Sequence, residues 1–381
     1  KRLIGRRFSD PDVQKDKKVY AEHFVLFHTE GRKKHPRYIV EPWQKKFLVT
    51  SPPENISSEE LDALFFLPFE RAPHPRYKGK FIPCYDFVRF STISHRGCFG
   101  GCSFCAISQH QGKQITSRSK ASILKELETI ITKDKDFKGM VFDIGGPTSN
   151  MYGMHCRSTE ECTRNSCLYP EICQQLDTSQ NELKDLLRSA RKVPGINKVL
   201  IGSGVRYDLA LLDNDYLDMI VQDHIGGQLS IAPEHVCNEV LQVMNKPKHE
   251  KYIEFMNKFS SFNQKHDKKQ YLVPYFISSH PGTTLKEMLT LTLFLQEKNI
   301  KLEQVQNFTP TPMTIATTMY YTEHDPFTGK PVHVPKGEER AFQKALLQPH
   351  LEKNLRQLAK ALKQLGRSDL IQKLTGYAGS I

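Results

Sequence analysis

From residue 87 to residue 308 the chain repeats one unit six times: a short strand-like run, a glycine-rich or polar loop, and usually an apolar stretch at helical spacing. Strands are expected at 87–93, 139–144, 198–201, 228–232, 270–277 and 302–308. Helices are expected over 120–132, 181–192, 213–221 and 249–266, and a further helix opens at Thr284 with Glu287 three residues on, a capping-box pair. Such alternation dictates parallel strands joined by right-handed crossovers, either in an open doubly wound sheet or in an incomplete barrel. In both, functional groups collect at the carboxyl ends of the strands. The loops at those ends are Cys98–Cys105, Gly145-Gly146-Pro147, Gly202–Arg206, Ala232-Pro233-Glu234-His235, Ser278–Thr283 and Phe308–Pro312. Six such loops would ring one mouth.

The first loop carries Cys98, Cys102 and Cys105, spaced C-x3-C-x2-C with glycines between them. Three thiolates on one short loop can close round a cubane iron–sulfur cluster and leave its fourth iron without a protein ligand, whereas an electron-carrying cluster normally takes four cysteines. The competing reading is a zinc site completed by His95 or His110. A second group, Cys156, Cys162, Cys167 and Cys173, lies in a long insertion after the second strand, in a segment with no clear amphipathic pattern. Metal ligation would organise so core-poor a segment, as an auxiliary iron–sulfur cluster or as zinc; reduced thiols are the plain alternative. Cys84 and Cys237 stand alone and read as small core residues.

The cysteine spacing, its glycines and Phe104 just before the last cysteine resemble the signature of radical S-adenosylmethionine (radical SAM) enzymes. The stretches Ser94–Cys98, Asp143–Thr148, Ser203–Asp208 and Ala232–His235 resemble the YgiQ-type family of those proteins, and the likeness covers nearly the whole chain. The resemblance implies a partial (β/α)6 TIM-like barrel. It also implies a [4Fe–4S] cluster on Cys98, Cys102 and Cys105 whose free iron chelates S-adenosylmethionine, and reductive cleavage to a 5′-deoxyadenosyl radical. Gly145 and Gly146 would meet the cofactor's amino group through backbone, although Pro147 stands where many such enzymes carry Glu. Ser203 and Arg206 would meet the ribose hydroxyls and the methionyl carboxylate, and Phe104, Ile277, Gly282 and Phe308 would line the cofactor pocket. Glu234 and His235 are the candidates for proton transfer at the substrate, with a structural pairing of Glu234 as the alternative. An electron donor such as a flavodoxin or ferredoxin would be the partner. Family members are usually longer, so the chain, which starts at Lys1, reads as a barrel core with fragments of its neighbours.

Hydrophobic content of 38% and charge of 25% describe a globular chain, and no apolar run approaches bilayer-spanning length. The cysteine usage, together with the lack of a signal peptide, points to the cytoplasm. The net charge of +12 sits at the ends: residues 1–50 carry 13 Lys/Arg against 6 Asp/Glu and residues 336–381 carry 9 against 4, leaving residues 51–335 neutral. The expected organisation is a linker or domain tail over 1–80, a barrel over 81–335 with the cysteine-rich insertion at 147–180, and a basic helical extension over 336–381. In that extension Arg356, Lys360, Lys363 and Arg367 lie opposite an apolar face. Basic arms on a neutral body leave RNA as one possible substrate. A zinc-stabilised RNA-binding protein is the alternative from a different functional class.

Overall fold

The computed structural model describes residues 3–5, 13, 15–33, 35–162 and 164–376; residues 1, 2, 6–12, 14 and 34 of the basic N-terminal extension and 377–381 of the C-terminal one lie outside them. The N-terminal part is more structured than a linker. It holds β1 (Leu3–Gly5), α1 (Lys17–Glu30), the antiparallel hairpin β2 (Tyr38–Trp43) and β3 (Lys46–Thr50), and α2 (Ser58–Phe65). β1 joins the hairpin in parallel through β2. Charged residues hide the strand signal here, since buried Ile39 alternates with buried Glu41, whose carboxylate pairs with His23. α2 starts where Ser57 and Glu60 cap each other's backbone N–H groups.

The alternating body follows: β4 (Ser91–Ile93), the small hairpin β5 (His95–Arg96) and β6 (Thr116–Ser117), α3 (Lys120–Thr129), β7 (Met140–Val141), β8 (Asp143–Gly145) and α4 (Asn181–Ala190). It continues with β9 (Lys198–Val199), α5 (Asn214–Asp223), β10 (Gln228–Glu234), α6 (His249–Lys265), β11 (Tyr271–Ser278), α7 (Leu285–Glu297) and β12 (Gln306–Asn307). The expected parallel pairing is present. β4 pairs with β8, β7 with β9, and β10, β11 and β12 form one sheet in chain order. Phe142 divides the second expected strand, so that its two halves bond to different neighbours. Among the described residues no ladder joins β9 to β10. Single bonds bridge that gap, from Val205 N to Ser230 O (3.3 Å) and from Ile201 N to His224 O (3.0 Å).

Several boundaries differ from the sequence reading, the third strand keeping only Lys198–Val199 and α3 ending at Thr129. The first strand begins at Ser91, because Tyr85–Val88 forms a helical turn that leaves Phe87 and Val88 exposed. The fourth runs on to Glu234 through a register shift after Ile231, which β-propensity cannot foresee at Pro233. The sixth keeps only Gln306–Asn307. The helices behave as their spacing requires, α4 burying Leu183, Leu186 and Leu187 and α6 burying Tyr252, Phe255 and Phe259. Each such side chain contributes about 1.5–3 kcal/mol relative to exposure.

After β12 come α8 (Ile315–Thr322), α9 (Glu338–Leu347), α10 (Leu355–Gln364) and α11 (Leu370–Thr375). α10 buries Leu358, Ala361 and Leu362 and exposes Arg356, Lys360 and Lys363. Lys360 pairs with Glu338 (3.0 Å) and Arg367 with Asp369 (3.0 Å), so part of the basic face is neutralised. No helix among the described residues is long and apolar enough to cross a membrane.

Candidate active site

The loop from Gly97 to Cys105 is held from three directions. Cys98 N bonds Gly112 O (3.0 Å) within the β5–β6 connection, Ser103 N bonds Met244 O (3.0 Å) beyond β10, and Ala316 N of α8 bonds Ser103 O (2.8 Å). Asn245 donates to Gly101 O (3.1 Å). The loop wraps its own glycine around the sulfurs. A Cβ on Gly100 would stand 3.3 Å from Cys98 Sγ, 4.0 Å from Cys102 Sγ and 3.3 Å from Arg206 Nη1. The thiols sit in a buried, mutually crowded setting: burial, then Cys102, pushes Cys98 up and drives Cys105 to about 12. Such thiols ionise when a metal takes them, and two cations stand ready to offset the charge. Arg206 Nη1 lies 3.5 Å from Cys102 Sγ, and Lys246 is buried within electrostatic reach of Cys98. Soft sulfur donors on one glycine-bearing loop, with cations beside them, fit an iron–sulfur cluster.

The neighbouring exits supply the walls. At Gly145 a Cβ would stand 2.1 Å from Asp143 Oδ2, and at Gly146 2.5 Å from the His95 ring. Both positions therefore exclude side chains and leave bare backbone beside Ser203 and His95. Gly145 O accepts from Ser94 N (2.6 Å), while Asp143 receives Gly202 N (2.9 Å) and Ser203 Oγ (3.3 Å). A cavity of about 510 Å³ opens along β4 and touches Ile93, His95, Asp143, Gly145 and Gly146.

Arg206 does not present its fork to the site. Nε and Nη2 bind the two oxygens of Asp208 (2.9 and 2.6 Å), leaving Nη1 turned toward Cys102. Asn150 clamps the Arg206 backbone on both sides, at 2.8 and 2.9 Å. Glu234 adopts a left-handed φ of 68° and lies 3.7 Å from Lys246 Nζ, both side chains being buried. Burial raises its carboxyl while Lys246 and then Arg206 oppose that rise. This is the structural pairing expected as the alternative for Glu234. His235 points inward, its Nδ1 accepting from Cys237 N (3.1 Å) and its Nε2 making no bond. Phe104, Ile277 and Phe308 share one apolar cluster, and His280 meets Phe104 and Phe308 edge-on at 5.8 and 5.3 Å. Gly282 packs on Val243 and bonds His333 O (2.7 Å).

Several contributors carry no local sequence signal. Lys246 lies in a turn, and Gln343 and Arg340 sit in the C-terminal extension. Gln343 accepts from Ser279 N (2.7 Å) and donates to Thr283 O (2.8 Å), and Arg340 holds Phe308 O (2.7 Å). The extension therefore fastens the loops after β11 and β12. His95 is buried against Gly146 while His110 is exposed, and among the described residues no three of His, Cys, Asp and Glu converge on a single-ion site. The zinc reading of either cysteine group gains no support from this geometry.

Burial keeps four histidines neutral, lowering His28 and His235 to about 3 and His95 and His280 to about 4 from 6.5. Above pH 6.5 folded and unfolded chains both leave them neutral. Below it the unfolded chain takes up protons that the folded chain refuses, so stability falls until the folded values are reached. The expected loss is about 1.4 kcal/mol per pH unit for each histidine. Urea unfolding of the metal-free chain at pH 7.5, 6 and 5 should show the midpoint dropping at each step, and a flat midpoint would contradict this account.

The chain matches the radical SAM superfamily over residues 92–295, the radical SAM N-terminal family over 6–91, and a domain of unknown function, DUF3362, over 303–375. It belongs to the radical SAM superfamily, whose enzymes use a [4Fe–4S] cluster and S-adenosylmethionine. Within that superfamily it is similar to UPF0313 proteins. These include one from Methanosarcina acetivorans (46% identical, 94% of this chain and 49% of that protein) and one from Methanocella arvoryzae (47%, 94% and 60%). YgiQ of Escherichia coli K12 is 42% identical over 94% of this chain and 50% of its own length. The chain thus spans about half to three-fifths of these relatives. A solved structure of the radical SAM methyltransferase TsrM from Kitasatospora setae, with cobalamin and a [4Fe–4S] cluster bound, is similar over 74% of this chain and 45% of that one (13% identity, TM-score 0.44).

Proposed function

We propose that this chain is the reaction core of a radical SAM enzyme in which Cys98, Cys102 and Cys105 are the only protein ligands of a [4Fe–4S] cluster. What supports this reading is the crowding of Cys98 and Cys102 about Gly100 with the remaining Arg206 donor 3.5 Å from Cys102, and, at the end of β8 where it pairs in parallel with β4, the side-chain-free backbone of Gly145–Gly146. When bound and given one electron, cluster and S-adenosylmethionine together supply a 5′-deoxyadenosyl radical that takes hydrogen from a substrate. In this reading the chain's own residues bind and orient. Gly145 and Gly146 offer backbone groups to the cofactor's amine, and Ser203, oriented by Asp143, faces the ribose. Arg206 contributes a single donor to the methionyl carboxylate, because Asp208 occupies its fork. Phe104, Ile277, Gly282 and Phe308 form the apolar wall. Glu234 positions Lys246 and the cluster side of β10 rather than moving a proton, and no proton-transfer role is assigned to His235.

The strands read as a partial (β/α)6 barrel of β4, the divided β7/β8, β9, β10, β11 and β12, with 81–335 as the barrel, 1–80 packing against it and 336–381 bracing its last loops. A flavodoxin or ferredoxin in the cytoplasm would deliver the electron, and the recess beside β4 would receive the substrate, with RNA as one candidate class. The test is anaerobic. Dithionite-reduced protein should convert S-adenosylmethionine to 5′-deoxyadenosine, and Cys102→Ala should reduce that yield to background. Equal yields from variant and parent would overturn the assignment.

A further inference from the structure

Cys156, Cys162, Cys167 and Cys173 form a group of thiols that the proposed reaction does not use. None of them is in a disulfide. The insertion that carries them is tied at its ends, Arg157 N bonding Gln175 O (2.8 Å) and Asp177 N bonding His155 O (2.8 Å) on either side of the Cys156–Leu176 bridge. Cys173 N returns to Cys167 O (2.8 Å). These closures bring the remaining three thiols within electrostatic reach of Cys167.

The group is built onto the first cysteine loop. Cys167 N donates to Phe99 O (3.0 Å), the residue next to Cys98, and Ser166 Oγ donates to Gly100 O (2.6 Å). A Cβ on Gly101 would lie 2.5 Å from Asn165 O, so the two segments touch backbone to backbone. Cations meet them there. Lys113 Nζ lies 3.6 Å from Cys162 Sγ and bonds Arg164 O (2.7 Å). Arg32, from just beyond α1, bonds Asn165 O (2.6 Å) and Ser108 Oγ (2.9 Å), and interacts with both Cys98 and Cys167. Two part-buried cations beside neutral thiols would gain little. Beside metal-bound thiolates they offset negative charge in a low-dielectric setting.

We propose that Cys156, Cys162, Cys167 and Cys173 ligate a second iron–sulfur cluster, with Lys113 and Arg32 as its counter-cations. A zinc ion would draw four sulfurs to about 2.3 Å from one centre. A cluster instead spreads them, each iron taking one cysteine, and a zinc count separates the two. The inference stands apart from the assignment of the first loop, and the test separates them.

Iron, sulfide and zinc are counted in the anaerobically reconstituted full chain, in Cys98→Ala/Cys102→Ala/Cys105→Ala, and in Cys162→Ala/Cys167→Ala. The expected contents are about eight iron per chain in the parent and about four in each variant. An iron-free triple variant beside a parent with about four iron would overturn the second cluster, as would one zinc per chain in that variant. About four iron in both parent and triple variant would instead uphold the second cluster and remove the first. Should the triple variant not fold, the parent's content together with loss of iron in the paired variant decides. In the triple-variant background, Lys113→Gln should keep its iron and shift the centre's midpoint to a more negative potential, since an added electron loses a nearby cation. An unchanged midpoint would overturn the counter-ion role.

Discussion

Replacing Gly97 by alanine should empty the first cysteine loop of iron. Gly97 has φ of +90°, and a Cβ there would stand 1.8 Å from Gln114 O and 2.8 Å from Gln114 C. Both obstructing atoms are backbone, so no side chain can rotate away. The clash falls where the β5–β6 hairpin hands the chain to Cys98, whose N–H bonds Gly112 O (3.0 Å). Relief requires the strands to separate or Cys98 to move, and either displaces a ligand. The left-handed backbone alone costs about 1–2 kcal/mol for a non-glycine residue, and the steric conflict brings the total to about 3 kcal/mol or more. Gly79→Ala is the control. It has φ of +76° but nothing within 4 Å of where a Cβ would stand, so it should lose only about 1 kcal/mol and keep its iron. Iron analysis and thermal unfolding of the two variants check this, and a Gly97→Ala protein with the parent's iron content would sink it.

The second large effect is expected at a buried ion pair beneath β4. Arg118 and Glu126 are almost fully buried and paired. Arg118 also donates to Thr92 Oγ1 (3.0 Å), Ile93 O (3.1 Å) and Ser122 Oγ (2.8 Å), and its guanidinium lies 4.0 Å from the centre of the Phe65 ring. Glu126 accepts from Thr92 Oγ1 (2.7 Å) and from Arg71 of the N-terminal region. Glu126→Ala leaves two guanidinium groups facing a vacated carboxylate site, at a cost of about 3–5 kcal/mol. Arg118→Met/Glu126→Leu removes the charges together and should lose less than the summed losses of Arg118→Met alone and Glu126→Leu alone, the parent completing the cycle. Urea unfolding of the four proteins measures the coupling. Additive losses would mean that the pair contributes nothing beyond its separate packing. The network also joins α2 to α3 and β4, so these variants should loosen the N-terminal region's hold on the body.

The local grammar of this protein was readable from its residues. Thr284 and Glu287 form the capping box that their spacing demands, and the apolar faces of α4, α6 and α10 are those set by helical periodicity. The three cysteines fall in the connection that follows β4, between β5 and β6. Local signals erred where neighbours override propensity. Phe87 and Val88 look like strand residues yet stand exposed in a helical turn, and the charged N-terminal segment conceals a sheet.

Order along the chain thus determined most elements of the alternating body, that its crossover-linked strands run parallel, and which loops follow their carboxyl ends. These follow from interactions between residues a few positions apart and from the handedness of the chain. Tertiary structure alone decided which charges meet: Lys246 beside Glu234, Arg32 between two cysteine groups, and Gln343 closing a loop 60 residues away. Burying a polar group is tolerated only where a partner arrives from elsewhere in the fold, and no periodicity records that arrival.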